Sequence, residues 1–496
     1  MSNYSNPVMR GMYPDPSICL VDGIYYLTHS TFEYLPGLPI HSSTDLVNWH
    51  LVGHAVHDPS QFDYAAVGDS RGMFAPTIRF HDGLFYIACT QMDAGEQSGS
   101  FYVTATDPAG PWSAPVMLPD AIGIDPSIFF HDGRAWWMGC REVAEQTFPG
   151  ETEVWLRELD LEAGALVGDE TVIWTRTQYR AVWAEAPHIY FRNGWFYLVT
   201  AEGGTSFEHS VMVARSREVV GPYLPNPRNP VLTHRHLGHG VEVQMVGHAD
   251  LVETTDGAWA LVVLATRPID GHHILGRETH VADVTWEDDW PVVNPGVGLL
   301  EAPVARAGSW GSDEAPSASD FLTVRGFADF VEPRDDGLLL RSVGDALGSE
   351  RHTAALLRRL TSTESAVSIT LAYVDPGAVA GLVLRQSDAF HVRLELCPTD
   401  DGQRAHLIVR AGEETSLGEL DLPLVPVTLE ARVTGSGVSW WAGVADGTPT
   451  EVGRTPLGVL STETAGGFVG TTFGPYVAGE VGAATLFSSW SQVDSA

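Results

Sequence analysis

Asp15-Pro16-Ser17-Ile18-Cys19-Leu20-Val21-Asp22-Gly23-Ile24-Tyr25-Tyr26 is the first of five copies of one phrase, and its repetition decides the fold. The second copy runs from Ala75-Pro76-Thr77-Ile78 to Asp82-Gly83-Leu84-Phe85-Tyr86, and the third from Asp125-Pro126-Ser127-Ile128 to Asp132-Gly133-Arg134-Ala135-Trp136. The fourth runs from Glu185-Ala186-Pro187-His188-Ile189 to Asn193-Gly194-Trp195-Phe196-Tyr197. The fifth, His248-Ala249-Asp250-Leu251 to Asp256-Gly257-Ala258-Trp259, lacks the proline. The turn glycines Gly23, Gly83, Gly133, Gly194 and Gly257 lie 60, 50, 61 and 63 residues apart. A supersecondary unit repeated at such a period reads as a propeller blade. Each Asp-Gly or Asn-Gly pair sits between apolar, aromatic-rich runs, which is a hairpin signal. If each phrase occupies the same place in its blade, the carboxylates at three of the five heads, Asp15, Asp125 and Glu185, converge on one axis.

Working outward, the repeats extend to about Val304 with no amphipathic helix between them. The expectation for 1–304 is an all-β, five-bladed β-propeller with a central channel. Residues 305–319 are rich in Gly, Ser, Ala and Pro and read as a linker. Residues 320–496 change texture: Ala366–Leu371, His391–Leu396 and Val427–Val433 alternate regularly, which predicts a two-sheet β-sandwich of the concanavalin-like jelly-roll kind.

The chain has 496 residues, too many for one ordinary core, in agreement with two domains. Its net charge of −35 argues against partners held by phosphate contacts, so neither nucleic acid nor an anionic membrane surface is expected. A neutral substrate fits best, and the acidity itself serves solubility. Cys19, Cys89, Cys140 and Cys397 lie far apart in apolar runs and read as buried free thiols. With no apolar leader in residues 1–10 and no membrane-length run, the expected location is cytoplasmic.

Three acidic heads around a small channel supply what glycosidic hydrolysis needs. One carboxyl must be protonated to protonate the leaving oxygen, and another ionised to activate water or attack carbon. A third, close to the acid, can raise its pKa by like-charge repulsion. The bland alternative is that each Asp-Pro merely initiates a turn. Three acidic heads at equivalent positions in apolar surroundings favour the chemical reading.

Several stretches together resemble family 43 glycoside hydrolases, in the branch holding β-xylosidases and α-L-arabinofuranosidases. They are Tyr13-Pro14-Asp15-Pro16-Ser17, Ser30-Thr31-Phe32-Glu33-Tyr34, Thr44-Asp45-Leu46-Val47-Asn48-Trp49, Ile124-Asp125-Pro126-Ser127 and Glu185 with Pro187-His188-Ile189-Tyr190. Thr200 to Thr205, Thr233 to Gly238, Gly247 to Val252, Leu275 to Thr279 and Gly467 to Gly474 agree in order. The resemblance implies an inverting mechanism with no cofactor or metal required. Asp15 matches the general base, Glu185 the general acid, and Asp125 the residue that tunes and positions the acid. Inversion implies carboxyls separated by about 6.5–9.5 Å to admit a water. Arg277, His248, Phe32, Phe74 and Thr205 match substrate-binding positions. A channel cation near His248 is compatible with the resemblance but not predicted. His234, His236 and His239 are irregularly spaced and read as a hydrogen-bonded loop rather than a metal site. Phe74 stands where relatives usually carry Trp, and Ala186 replaces a usual glycine.

The expected activity is removal of terminal β-D-xylosyl residues from xylo- or arabinoxylo-oligosaccharides, with α-L-arabinofuranosyl residues as a further substrate. A dedicated α-L-arabinofuranosidase is the alternative. A non-catalytic carbohydrate-binding propeller and a retaining fructan hydrolase are weaker alternatives. A homo-oligomer is compatible with the resemblance.

Overall fold

The computed structural model describes residues 4–177, 180–301 and 321–494. The linker expected over 305–319 lies outside them. The first body is five antiparallel units, four of four strands and the second of five, each built on a meander running from the axis outward. Blade 1 comprises Ser17–Val21, Ile24–Thr28, Gly37–Ser43 and His50–Val56. The innermost strands of blades 2 to 5 are Thr77–His81, Ile124–His131, Glu185–Arg192 and Gln244–Glu253. The ring closes through the N-terminal segment: Asn6 Nδ2 donates to Val281 O at 2.8 Å and its Oδ1 accepts from Val281 N at 2.8 Å.

The repeated hairpins form as their residues dictate. At Asp22, Asp82, Asp132 and Asn193 φ is 50°, 47°, 49° and 52°, and each following glycine is also left-handed. Two consecutive left-handed residues make the turn whose twist matches paired strands, and Asp, Asn and Gly tolerate that region best. The fifth copy differs. Glu253 and Trp259 are joined by a longer loop in which Gly257 N donates to Thr254 O at 2.9 Å, and only Gly257 is left-handed.

At the axis the inner strands meet in a buried polar hub. Asp250 of blade 5 accepts from Ser17 Oγ (2.7 Å) and Ile18 N (3.0 Å) of blade 1, from Arg79 Nη1 (2.8 Å) of blade 2, and from the Tyr190 hydroxyl of blade 4. Arg79 Nη2 donates to His188 Nδ1 at 2.9 Å, and that nitrogen lies 3.2 Å from Ser127 Oγ of blade 3. Burial opposes ionisation of Asp250, but Arg79, His188 and Tyr190 outweigh it and hold the carboxyl below its usual range. Ser17, Thr77, Ser127 and Asp250 each lie two residues beyond a phrase head, and His188 lies three beyond. One repeat position therefore supplies part of the hub that ties the blades together, and Arg79 and Tyr190, further along their strands, complete it.

The second body is a sandwich of an eight-stranded and a seven-stranded sheet. Its packed face includes Val367, Ile369, Leu394, Leu429 and Trp440, all essentially buried. The eight-stranded sheet incorporates a strand from the propeller: Tyr34–Leu35 pairs antiparallel with Leu322–Val324. Beside this join Arg385 bridges Glu33 (3.2 Å), Asp69 (2.6 Å) and Asp388 (2.9 Å), so charged side chains from both domains share one buried network. Of the four thiols, Cys19, Cys89 and Cys140 are buried and free, whereas Cys397 is free but only half-buried, contrary to the expectation of burial. It sits in Phe390–Thr399 where the alternation breaks before Pro398.

Candidate active site

The heads of the phrases are aimed by strained backbone. Asp15, Asp125 and His248 have φ of 54°, 53° and 50°. In blade 4 the left-handed residue is Ala186 (φ 53°), one beyond Glu185. Strand register shifts beside three of these positions, between Ile124 and Ser127, between Glu185 and His188, and around Gly247 to Ala249. A bulge at the start of an inner strand turns one side chain out of the pleat and towards the channel mouth. Aspartate accepts the left-handed region more readily than most residues. Alanine does not, at a cost of about 1–2 kcal/mol. Ala186→Gly is therefore expected to raise unfolding free energy by about 1 kcal/mol, less than the strain because glycine gains unfolded-state freedom. A higher urea midpoint at unchanged slope would show it.

All eight residues singled out in the sequence line one cavity: Asp15, Asp125, Glu185, Arg277, His248, Phe32, Phe74 and Thr205. Asp15 is the most heavily held. Its Oδ1 accepts from Arg277 Nη1 at 2.5 Å and lies 3.4 Å from His248 Nδ1, and its Oδ2 accepts from Ser30 Oγ at 2.5 Å. Arg277 is thus both an ion-pair partner and a pocket wall. Asp125 Oδ2 accepts from the backbone N–H of Ala186 at 3.1 Å, which ties the third blade to the residue beside Glu185.

These environments push the carboxyls apart. Burial alone would raise Asp15, but Arg277, His248 and Ser30 outweigh it and hold the carboxyl below its ordinary range. Burial raises Asp125, with His248 opposing and Asp15 adding to the rise. Glu185 is pushed well above its ordinary value by burial and by the charges of Asp125 and Asp15, opposed only by Arg277. The site thus favours ionisation at Asp15 and opposes it at Glu185, the division of labour that acid–base hydrolysis requires.

The pocket and its surroundings include two features that the repeats alone do not reveal. Phe468, from the sandwich, stacks on Phe32 (6.0 Å between centroids, 21° between planes) and meets Phe74 edge-on at 6.1 Å. Arg277 Nη2 donates to Phe468 O at 3.3 Å. The Phe468 loop is pinned from both sides. Phe468 N donates to Ser70 Oγ at 2.9 Å, and Ser70 N donates to the buried Glu33 at 2.9 Å. On the other side a Cβ on Gly470 would lie 2.4 Å from the Leu275 carbonyl oxygen, so only glycine permits this approach. The second feature is His209, buried within electrostatic reach of Asp15, His248 and Arg277 and kept neutral with a pKa of about 3, chiefly by burial and then by His248. It belongs to no repeated position, so nothing in the spacing marks it. The histidine loop behaves as expected at His234, which contacts Val243 O through Nδ1 at 2.7 Å and accepts from Leu300 N at Nε2. His239 packs at a tilt against Phe207, with ring centroids 3.9 Å apart.

Comparison with known proteins agrees with both bodies. The family model for glycosyl hydrolases family 43 matches residues 4–291, and that for the beta xylosidase C-terminal concanavalin A-like domain matches 321–487. A xylosidase/arabinosidase of Butyrivibrio fibrisolvens is 48% identical over 301 residues, which span 60% of this chain and 57% of that protein. A non-reducing end alpha-L-arabinofuranosidase of Bacteroides ovatus is 34% identical over an alignment covering 96% of this chain and 91% of its own. Among solved structures, a xylan beta-1,4-xylosidase from Bacillus halodurans C-125 superposes with a TM-score of 0.89 at 29% identity, covering 99% of this chain and all of its own. The propeller match covers more than half the chain, and the second match accounts for the sandwich. This chain belongs to glycosyl hydrolases family 43 and is a glycoside hydrolase.

Proposed function

We propose that the chain is an inverting, exo-acting β-xylosidase that also releases terminal α-L-arabinofuranosyl residues. Asp15 is the general base, Glu185 the general acid, and Asp125 the residue that raises and orients the acid. The observation that carries this reading is the convergence of Asp15, Asp125 and Glu185 in one pocket walled by Phe32, Phe74 and Phe468, where Asp15 is pulled below and Glu185 pushed above its ordinary pKa. Asp15 draws a proton from water as the water attacks the anomeric carbon, and Glu185 gives its proton to the departing glycosidic oxygen. Arg277 keeps Asp15 ionised, and its Nε, buried with no protein partner, is a donor for a sugar hydroxyl. A pentose lacks the hydroxymethyl arm of a hexose, so aromatic walls close to the ring admit xylose or arabinofuranose and exclude hexoses sterically. The Phe468 loop closes one side of the pocket, which favours release of a single terminal sugar. Four free thiols fit a reducing, cytoplasmic setting.

Xylobiose, an arabinofuranosylated xylo-oligosaccharide and an aryl glucoside should be compared as substrates. Xylobiose cleavage is expected, with β-linked substrate giving α-xylose as the first anomer in proton NMR. Cleavage of the arabinosylated substrate alone would instead assign a dedicated arabinofuranosidase. A first-formed β anomer would refute inversion.

A further inference from the structure

A larger cavity lies away from the carboxylates. It occupies about 240 Å³, against about 70 Å³ for the pocket above. It opens at the junction of the domains. Blade 1 and the N-terminal segment supply Tyr13, His41, Trp49 and His54, and the sandwich supplies Leu322, Arg358 and Arg359. Junctions between domains are common places for small-molecule sites.

Its charge is the opposite of the molecule's. Acidic residues outnumber basic ones 63 to 28 in this chain, and every one of the 28 is arginine. Yet Arg10, Arg358 and Arg359 all line this cavity and, among the described residues, no Asp or Glu does. Among the described residues Arg358 and Arg359 form no ion pair. Arg359 Nε donates to Met12 O at 2.7 Å and the guanidinium lies 4.3 Å from the centre of the Tyr13 ring, but its Nη2 is buried with no partner. The carboxylate behind the wall, Asp494, already accepts from Thr361 (3.2 Å) and Gln492 (3.0 Å).

The histidines add to this pattern. His41 is 6% exposed and its Nδ1 has no partner. It packs edge-on against Tyr13 and His29. Burial and Arg359 hold His41 well below its usual pKa and bring His54 to about 3, so both imidazoles are neutral beside the guanidinium. A half-buried guanidinium without a counter-ion and with one idle buried donor is costly to maintain, and an incoming oxyanion relieves that cost by charge-assisted hydrogen bonds. Trp49, Tyr13, Val8, Met9, Leu51 and Leu322 give the remaining wall an apolar and aromatic character suited to the C–H face of a ring.

We propose that this junction cavity is a second binding site, separate from the carboxylate pocket, for a sugar-sized oxyanion: a carboxylate or phosphate carried on a ring. Arg358 and Arg359 clamp the anion, and Tyr13 and Trp49 pack against its body. Tyr13 is two residues from Asp15 and Arg359 holds the Met12 carbonyl, so the site adjoins the segment that carries Asp15.

The test titrates the intact chain with D-glucuronate, glucose 6-phosphate, inorganic phosphate and neutral glucose, read by tryptophan fluorescence and by thermal shift. At least one of the two sugar anions is expected to saturate with a Kd of about 1 mM or tighter, with glucose silent. Glucuronate alone assigns the carboxylate, glucose 6-phosphate alone the phosphate. Arg358→Ala and Arg359→Gln should each weaken binding about tenfold or more. Arg358→Ala should leave aryl xyloside hydrolysis unchanged when no anion is present, and Arg277→Ala should leave anion binding unchanged. Absence of saturable binding by both sugar anions overturns the proposal. So does binding that survives Arg358→Ala but is lost in Arg277→Ala, which would place the anion in the carboxylate pocket. Glucose or inorganic phosphate binding as tightly as the sugar anions would overturn the stated ligand class.

Discussion

Glu185→Ala is expected to lower kcat on xylobiose at neutral pH by about 10³-fold, within the range that positioned acid catalysis contributes. The leaving group is a sugar hydroxyl, which departs poorly without a proton. On an aryl xyloside with an acidic phenol the loss should be much smaller, because that oxygen leaves unaided. The pH profile carries the same assignment. Asp15 sits below its ordinary pKa, so the acid limb, where the base becomes protonated, falls at low pH. Glu185 sits well above its ordinary pKa, so the alkaline limb, where the acid loses its proton, lies above the usual carboxyl range. Glu185→Ala should erase the alkaline limb and keep the acid one. Arg277→Ala removes the foremost group opposing burial at Asp15, so its acid limb should move to higher pH. Turnover of xylobiose by Glu185→Ala within tenfold of wild type would remove Glu185 from the acid role.

Arg79→Met should destabilise the propeller by about 3–5 kcal/mol, because Asp250 keeps its place in the hub and loses its counter-ion. The Arg79–Asp250 pair is buried, with the carboxylate side chain fully covered. The pH dependence has a definite sign. In wild type the pKa of Asp250 is depressed, so its contribution is present above the unfolded pKa and lost as pH falls through the folded one. In the variant the carboxyl is buried without its cation and its pKa rises, so the variant loses stability as pH rises above the unfolded pKa. The gap between the two proteins should therefore be widest near neutrality and narrow towards about pH 4. Arg79→Met with Asp250→Asn should recover part of the loss, since no lone charge is left buried. Denaturant unfolding of both variants at several pH values measures this. A loss under about 1 kcal/mol for Arg79→Met would mean that the hub is not held by charge pairing.

Much of this was legible in the residues. Paired left-handed turns require Asp-Gly or Asn-Gly, so four hairpins announced themselves, and their period announced the blades. Because a propeller places equivalent positions around one axis, Asp15, Asp125, Glu185 and His248 could be brought together before any coordinates. The hub was not read from the sequence: Ser17, Thr77, Ser127 and Asp250 are polar residues at one repeat position in apolar strands, a signal that is plain only once the strands are seen to meet. The fifth hairpin forms as well, but Asp256-Gly257 lies in a longer loop there. Cys397 was read as buried because its neighbours are apolar, but its strand loses its alternation towards Pro398.

By itself the sequence determined the two all-β bodies, the residues converging on the pocket and the chemistry those residues carry, because repetition and alternation are local patterns that dictate backbone geometry. The tertiary structure alone decided the rest. It set which carboxyl ionises more readily, brought Phe468 from the sandwich into the wall, placed His209 behind the pocket and gathered arginines from two distant segments at the junction. Protonation depends on burial and on charges hundreds of residues away, and contact between two domains depends on how their surfaces meet. Neither quantity has a period along the chain.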